Sequence, residues 1–132
     1  NVIFANQVTL GGHVYVEEGA VIGGISAVHQ FCKIGKMAMV GGMSKVTKDV
    51  PPFMKVQGNP AKVFGLNSVG LERNGVDKAV RRVLRQAYNF LYRSGYNFSQ
   101  AIEEIRADLE ETDTLMHLMD FLEKSERGIV KG

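Results

Sequence analysis

Residues 2–49 read, in groups of six, VIFANQ VTLGGH VYVEEG AVIGGI SAVHQF CKIGKM AMVGGM SKVTKD. The third position of every group is apolar and the first is small or β-branched. A period of six is typical of the hexapeptide repeat of a parallel β-helix. Each group predicts one short strand with alternating inward and outward side chains. Glycine follows the third position at Gly11, Gly23, Gly35 and Gly41, which predicts tight corners with unusual φ angles.

The composition excludes several classes of protein. The chain has 132 residues, 45% of them hydrophobic, and a net charge of +2, so it predicts a folded core rather than disorder or a nucleic-acid binder. Cys32, the only cysteine, falls on an inward position and predicts a small core residue. With no disulfide framework, a reducing, cytoplasmic location is expected. No apolar stretch is long enough to span a bilayer.

The repeat predicts three parts of the chain. Residues 1–53 are predicted as the C-terminal coils of a hexapeptide-repeat β-helix, which the prolines of DVPP (49–52) terminate. Residues 54–75, rich in Gly and Asn, are predicted as a connecting loop. Residues 76–132 are predicted as a three-helix C-terminal domain. Because solenoids need capped ends, we expect this chain to be the C-terminal part of a longer protein.

The helical periodicity is clear in each predicted helix. Asp77 is a candidate N-cap and Gly95 a candidate C-terminal glycine of the first helix. The second helix is expected after Ser99 and the third over residues 114–127. Their apolar stripes are Val80, Val83, Leu84, Ala87, Tyr88 and Leu91, then Ile102, Ile105 and Leu109, then Leu115, Leu118, Met119 and Leu122. We expect the helices to pack on one another and on the solenoid.

Several motifs together resemble one family, the UDP-N-acetylglucosamine acyltransferases. They are TLGGH (9–13), IGG (22–24), AVHQF (27–31), MVGG (39–42), DVPP (49–52), GNPA (58–61), GLN (65–67) with Gly70, Leu71 and Arg73, and residues 125–130. The resemblance implies the first step of lipid A synthesis, in which an R-3-hydroxyacyl group moves from acyl carrier protein to the 3-hydroxyl of UDP-N-acetylglucosamine. It also implies a homotrimer of left-handed parallel β-helices with a small helical domain, active sites between subunits, and no cofactor or metal.

Acyl transfer to a hydroxyl needs a general base and an oxyanion stabiliser. The resemblance places the base, a histidine, upstream of Asn1, so this chain alone is expected to be catalytically silent. The same resemblance makes the backbone N–H of Gly12 the oxyanion candidate. The sequence by itself would read Gly12 as an ordinary turn glycine.

Five residues are predicted to bind substrate. His13 follows a Gly-Gly corner and should point outward, either into a cleft or into solvent. His29 stands where other groups have a corner glycine, and Gln30 adds amide donors. Arg73 has the side chain suited to a diphosphate, although a lone surface Arg is usually solvated. The resemblance makes all of these, together with Asn67, substrate contacts.

Two positions depart from the family pattern. Asn74 and Val69 stand where the family often has arginine and an acidic residue, which leaves the acceptor open between the sugar and an amino analogue. Gly42 matches the acyl-chain ruler of the family; glycine there leaves room for a long chain, and is otherwise a corner residue. Four lysines on outward corners are either a solvated face or a surface that steers the acidic carrier protein. They are Lys33, Lys36, Lys45 and Lys48.

Other readings stay open at this point. A γ-type carbonic anhydrase shares the repeat but needs three histidines on zinc, and only His13 and His29 lie in the repeat. A non-catalytic trimeric scaffold would explain the missing base. The N-acyltransferase of the same pathway has a similar plan, although GNPA (58–61) and the form of the tail favour the first-step enzyme. His117 is assigned no role.

Overall fold

The computed structural model describes residues 1–132, and the repeat forms eight strands of two residues each. They are β1 (Ile3–Phe4), β2 (Thr9–Leu10), β3 (Tyr15–Val16), β4 (Val21–Ile22), β5 (Ala27–Val28), β6 (Lys33–Ile34), β7 (Met39–Val40) and β8 (Lys45–Val46). Strands pair in parallel with the strand three places further along the chain, as β1 does with β4 and β4 with β7. The register aligns Phe4 with Ile22 and Ile22 with Val40, so one coil is 18 residues, or three hexads.

The core lies where the sequence pattern places it. Ile22, Ile34, Val40 and Val46 at third positions are fully buried. Phe4, in the first coil, is 48% exposed because that coil has a neighbour on one side only. The first positions are also buried from Ala20 onward, through Ser26, Cys32, Ala38 and Ser44. The prediction of a parallel β-solenoid is therefore confirmed.

The corners differ from the prediction in how they use glycine. Positive φ falls on non-glycine residues at the sixth position of the hexads, such as His13 (57°), Phe31 (65°) and Met43 (58°). Gly11, Gly23, Gly35 and Gly41 do not have positive φ. They are required by close approach of the next coil: a Cβ on Gly23 would lie 2.5 Å from the backbone N of Gly42. Stacking distance, not dihedral freedom, selects these glycines.

Residues 54–75, predicted as a connecting loop, contain regular structure. β9 (Met54–Gly58) and β10 (Ala61–Leu66) form an antiparallel hairpin, and β9 also pairs in parallel with β7. The hairpin therefore continues the β1-β4-β7 sheet. A short helix, α1 (Ser68–Arg73), follows, with Asn67 as its N-cap. The hairpin therefore extends this sheet beyond its last solenoid strand, β7.

Three helices complete the fold, α2 (Lys78–Tyr92), α3 (Phe98–Asp108) and α4 (Asp113–Lys124). Each predicted stripe is turned inward: Leu84, Ile105 and Leu118 are fully buried. Asp77 is the N-cap residue of α2 but makes no capping hydrogen bond with its side chain, whereas Asn97 and Gln100 form a capping box on α3. None of these helices is both long enough and apolar enough to cross a membrane.

The helical part is fastened to the solenoid at two places. On α4, the His117 Nε2 lies 3.1 Å from the Glu17 Oε1, and that oxygen also accepts the Lys36 N–H at 2.8 Å. Asp49 is 1% exposed; its carboxylate accepts the Lys33 N–H at 2.8 Å and the Ser125 hydroxyl at 2.5 Å. Its main chain bonds the C-terminal tail, with N–H to the Gly128 carbonyl and carbonyl to the Val130 N–H. These contacts hold α4 and the tail against the solenoid.

Candidate functional site

One corner of the solenoid brings four of the predicted site residues together. Because Leu10 pairs with Val28, the corner at residues 11–13 stacks directly on the corner at residues 29–31. The Phe31 N–H donates to the Gly12 carbonyl at 3.0 Å, and a Cβ on Gly11 would lie 2.6 Å from the Gln30 N. Gly12, His13, His29 and Gln30 thus share this surface, which we call the histidine corner. All four are exposed.

The imidazole of His13 has a defined orientation at this corner. Its positive φ turns the side chain outward, as the sequence predicted. The ring stacks on the ring of Phe31, with centroids 5.0 Å apart and planes 6° from parallel. One face of the imidazole is covered and the ring edge stays open.

Gly12 offers a free backbone donor. Its N–H donates to no acceptor in the structure, and a Cβ there would meet nothing within 4 Å. Gly24 and Gly42 hold the same position in other hexads and their N–H groups are also unpaired. The free N–H is therefore a property of the repeat; what distinguishes Gly12 is its place beside His13.

A second surface, the cationic groove, lies on the β1-β4-β7-β9-β10 sheet. It has a volume of about 960 Å³ and its walls come from the sheet, α1 and α2. Arg73, Arg85, Arg93 and Lys55 line it, and none of its lining residues is acidic. A concentration of cations without carboxylates favours an anionic ligand.

The arginines of the groove differ in how they are held. Arg85 donates to the Ser68 hydroxyl at 2.6 Å, which ties α2 to α1. Arg93 donates to the Tyr88 hydroxyl at 3.1 Å and lies over the ring of that tyrosine. Arg73 makes no side-chain hydrogen bond and is exposed, so its guanidinium is free to meet a ligand.

Asn67 also lines this groove but is only 6% exposed. Its Nδ2 donates to the Met37 carbonyl at 2.9 Å and its Oδ1 accepts the Gly70 N–H at 3.2 Å. The side chain therefore caps α1 and fastens it to the solenoid. Its predicted contact with a nucleotide stays a prediction.

Gly42 lies at a different corner from His13. It stacks on Gly24, whose carbonyl oxygen would be 3.3 Å from a Cβ at Gly42. The neighbouring Met43, 73% exposed, carries the positive φ. A side chain at residue 42 would therefore project from the corner without a dihedral penalty.

The sequence predicts that all four lysines lie on outward corners, and the structure contradicts this for two of them. Lys33 and Lys45 lie in β6 and β8, and only Lys36 and Lys48 lie at corners. The sequence also missed Lys55, Arg85 and Arg93 as groove residues. The sequence shows the basic residues of α2 but not where they lie. The hairpin, predicted as a loop, places them in the same groove as Arg73.

Cys32 and the histidines test two further hypotheses, the core role of the cysteine and a metal site. Cys32 is fully buried, and burial raises the pKa of its thiol, with Arg127 opposing and Asp49 adding to that effect. The thiol is therefore a core group, as predicted, and a poor nucleophile. No three His, Cys, Asp or Glu side chains are grouped so that they could hold a metal ion.

The stacked coils of short parallel strands define the class first: this is a hexapeptide-repeat solenoid. Residues 49–130 match the family model described as UDP-N-acetylglucosamine O-acyltransferase, domain 2. The chain belongs to this UDP-N-acetylglucosamine O-acyltransferase family. Resemblance to the family, inferred above from motifs, is thereby confirmed.

Individual relatives agree with that assignment. An acyl-[acyl-carrier-protein]–UDP-N-acetylglucosamine O-acyltransferase from Aliivibrio salmonicida is 44% identical over 99% of this chain and 50% of its own length. The solved LpxA structure from Acinetobacter baumannii has a TM-score of 0.92 at 43% identity, covering 98% of this chain and 51% of that one. The Arabidopsis UDP-N-acetylglucosamine acyltransferase has a TM-score of 0.91 at 38% identity, covering 98% and 49%. The chain spans about half the length of the curated relatives it matches.

Proposed function

We propose that this chain is part of an enzyme that transfers an R-3-hydroxyacyl group from acyl carrier protein to the 3-hydroxyl of UDP-N-acetylglucosamine, in lipid A biosynthesis. The observation that carries the proposal is the cationic groove beside a solenoid of this family. Four cations and no acid line it, as a ligand with a diphosphate requires. Relatives named for the same reaction support the choice of substrates.

The two surfaces have different tasks in this reaction. In the groove, the free guanidinium of Arg73 binds the diphosphate, and Asn67 holds α1 in place beside it. At the histidine corner, His13, His29 and Gln30 contact the reacting part of the substrates, and the Gly12 N–H faces the oxyanion that develops on the thioester carbonyl. The general base is a histidine upstream of Asn1, as the family resemblance implies.

A homotrimer would bring these surfaces together. The histidine corner follows β2 and β5, whereas the groove lies on the sheet that contains β1, β4 and β7. A single chain therefore presents the two surfaces on different sides, and a neighbouring copy is needed to face one with the other. Apolar side chains exposed along the solenoid support such packing. They include Ile3 (59%), Tyr15 (62%), Met39 (40%) and Met43 (73%).

The donor is a long-chain acyl carrier protein in this proposal. Gly41 lines the groove, so its neighbour Gly42 lies at the corner beside it. Because Gly42 has no side chain, it adds no wall there. An acyl chain that crosses this corner can extend past residue 42. The exposed amines of Lys45 and Lys48 are placed to attract an acidic carrier protein, and a single buried thiol fits the reducing cytoplasm.

The test is steady-state kinetics of the full-length enzyme with Arg73→Ala. Loss of a charge-assisted hydrogen bond costs about 1.5–3 kcal/mol, so KM for the UDP-sugar should rise roughly 10–100-fold. Lys62→Ala is the matched control, because Lys62 is an exposed cation on the neighbouring hairpin but lies outside the groove. An unchanged KM for Arg73→Ala, or an equal rise for Lys62→Ala, would refute the binding of the diphosphate in this groove.

A further inference from the structure

We propose that Phe31 is a positioning residue for His13. Its aromatic ring holds the imidazole in one orientation, and its backbone N–H fixes the peptide that joins Gly12 to His13. This inference rests on the proposed function, in which His13 contacts substrate. It adds a residue that the sequence motifs did not single out for any role.

The stacked pair follows directly from the repeat. His13 and Phe31 are 18 residues apart, so they hold the same corner position in successive coils. Both have positive φ, 57° and 65°, which directs both side chains away from the core. The centroid distance of 5.0 Å and the angle of 6° describe rings in face-to-face contact. Such aromatic pairs contribute about 0.5–1.5 kcal/mol beyond the area they bury.

The backbone conformation and the exposure of Phe31 are unfavourable for a residue with only a structural role. A left-handed φ costs a non-glycine residue about 1–2 kcal/mol, and the side chain is still 51% exposed. Gln7, Ile25 and Met43 occupy equivalent corners with no aromatic partner, so the fold itself does not require a ring at this position. What the ring of Phe31 does make is the stack with His13.

Two contacts from one residue act on the same pair of neighbours. The Phe31 N–H donates to the Gly12 carbonyl at 3.0 Å, which orients the Gly12–His13 peptide. The ring then restricts rotation of the imidazole, so that its nitrogens stay at the open edge of the stack. A side chain without a flat face would keep the first contact and lose the second.

The first measurement is the His13 ring signal of the full-length enzyme, labelled with ¹³C-histidine. Ring-current shifts from Phe31 should disappear in Phe31→Leu and persist in Phe31→Tyr. Ile25→Leu is the matched control, at an equivalent exposed corner with φ of 57°. Each variant is first checked for the oligomeric state of the parent. A His13 signal that does not change in Phe31→Leu overturns the proposal.

The second measurement is a double-mutant cycle on kcat/KM. Phe31→Leu should lower kcat/KM about 2–10-fold, the range that a stacking energy of 0.5–1.5 kcal/mol converts to. Phe31→Tyr, which keeps an aromatic ring, should keep kcat/KM at the parent value, and Ile25→Leu should leave it unchanged. In a His13→Ala background, Phe31→Leu should have no further effect. The same loss in both backgrounds would show that Phe31 acts through the fold and not through His13.

The two measurements separate this inference from the proposed function. If His13→Ala itself leaves kcat/KM unchanged, the substrate contact of His13 is wrong, whatever Phe31 does. If His13→Ala is impaired and the cycle shows no coupling, the substrate contact stands and the positioning role fails.

Discussion

Glycines serve opposite purposes in the solenoid and in the helical part of the chain. In the solenoid, Gly35 has an ordinary φ but no room, because a Cβ would lie 2.6 Å from the Cα of Pro52. In the helical part, Gly95 has a φ of +79° and open space around it. The first is selected by a neighbour one coil away, and the second by its own backbone.

The difference shows which neighbours constrain a residue in each region. A residue in the solenoid is constrained by the residue 18 positions along the chain, whereas a residue in the helical part is constrained by those three or four positions away and by local turns. A substitution in the solenoid therefore acts across coils.

Gly35→Ala should have the largest effect. The added methyl group meets the backbone and ring of Pro52, which cannot move aside without displacing the coil. We expect destabilisation at or above the upper end of the range for overpacking, about 3 kcal/mol, and loss of most soluble full-length protein. The measurement is the soluble yield and the urea midpoint at fixed protein concentration.

The control for that variant is Gly12→Ala, where a Cβ meets nothing within 4 Å. It should fold like the parent, with a urea midpoint within error. Equal stability of the two variants would mean that stacking distance does not select the solenoid glycines.

Asp49→Ala tests whether the two regions are independent. The substitution removes the acceptor for the Lys33 N–H and for the Ser125 hydroxyl at a fully buried position. We expect a loss of about 1.5–3 kcal/mol in the free energy of unfolding, as for a charge-assisted hydrogen bond. Ser125→Ala removes only one of the two bonds and should cost less. If Asp49→Ala only loosens the tail in hydrogen exchange, with no change in the unfolding midpoint, the regions are not coupled through Asp49.

Gly95→Ala should have the smallest effect. With open space around it, the only penalty is the left-handed backbone, about 1–2 kcal/mol. We expect the free energy of unfolding to fall by that amount and kcat/KM to stay at the parent value, since Gly95 itself lines neither the cationic groove nor the histidine corner. A cost as large as that of Gly35→Ala would contradict the comparison.

The sequence predicted the solenoid well because each coil repeats the same constraint. The buried columns follow from the period of six and the termination from Pro51 and Pro52, whereas the coil of three hexads comes from the strand register of the structure. Positive φ on residues such as His13 and Phe31 did not follow, because ordinary residues rarely adopt it and only the corner forces it. Left-handed coiling came from the resemblance alone and stays a prediction.

The hairpin was missed although its signal was present. Met54 and Val56 alternate with Lys55 and Gln57, and Ala61 and Val63 follow the same period. Frequent Gly and Asn dominated the reading of this segment and hid the alternation. The helix α1, with six residues, is too short to show a periodic stripe.

The candidate site was predictable only in part, for a geometric reason. Register alone brings Gly12 beside Gln30, because they are 18 residues apart. The partners of Arg73 in the groove come from β9 and α2, and no period in the sequence relates them. The repeat thus locates the histidine corner, while the groove needs the three-dimensional structure.

The Asp49 contacts also set a time at which the protein is vulnerable during synthesis. Ser125 is 76 residues beyond Asp49, so one carboxylate oxygen and the main chain of Asp49 lack their partners until the tail emerges from the ribosome. At about 5–20 residues per second, that interval is roughly 4–15 s. During it the last coil presents an open strand edge, the kind of surface on which chains associate incorrectly. The residues after α4 therefore close this interval. Slower translation of these residues should lower the yield of assembled protein more than slower translation of the solenoid.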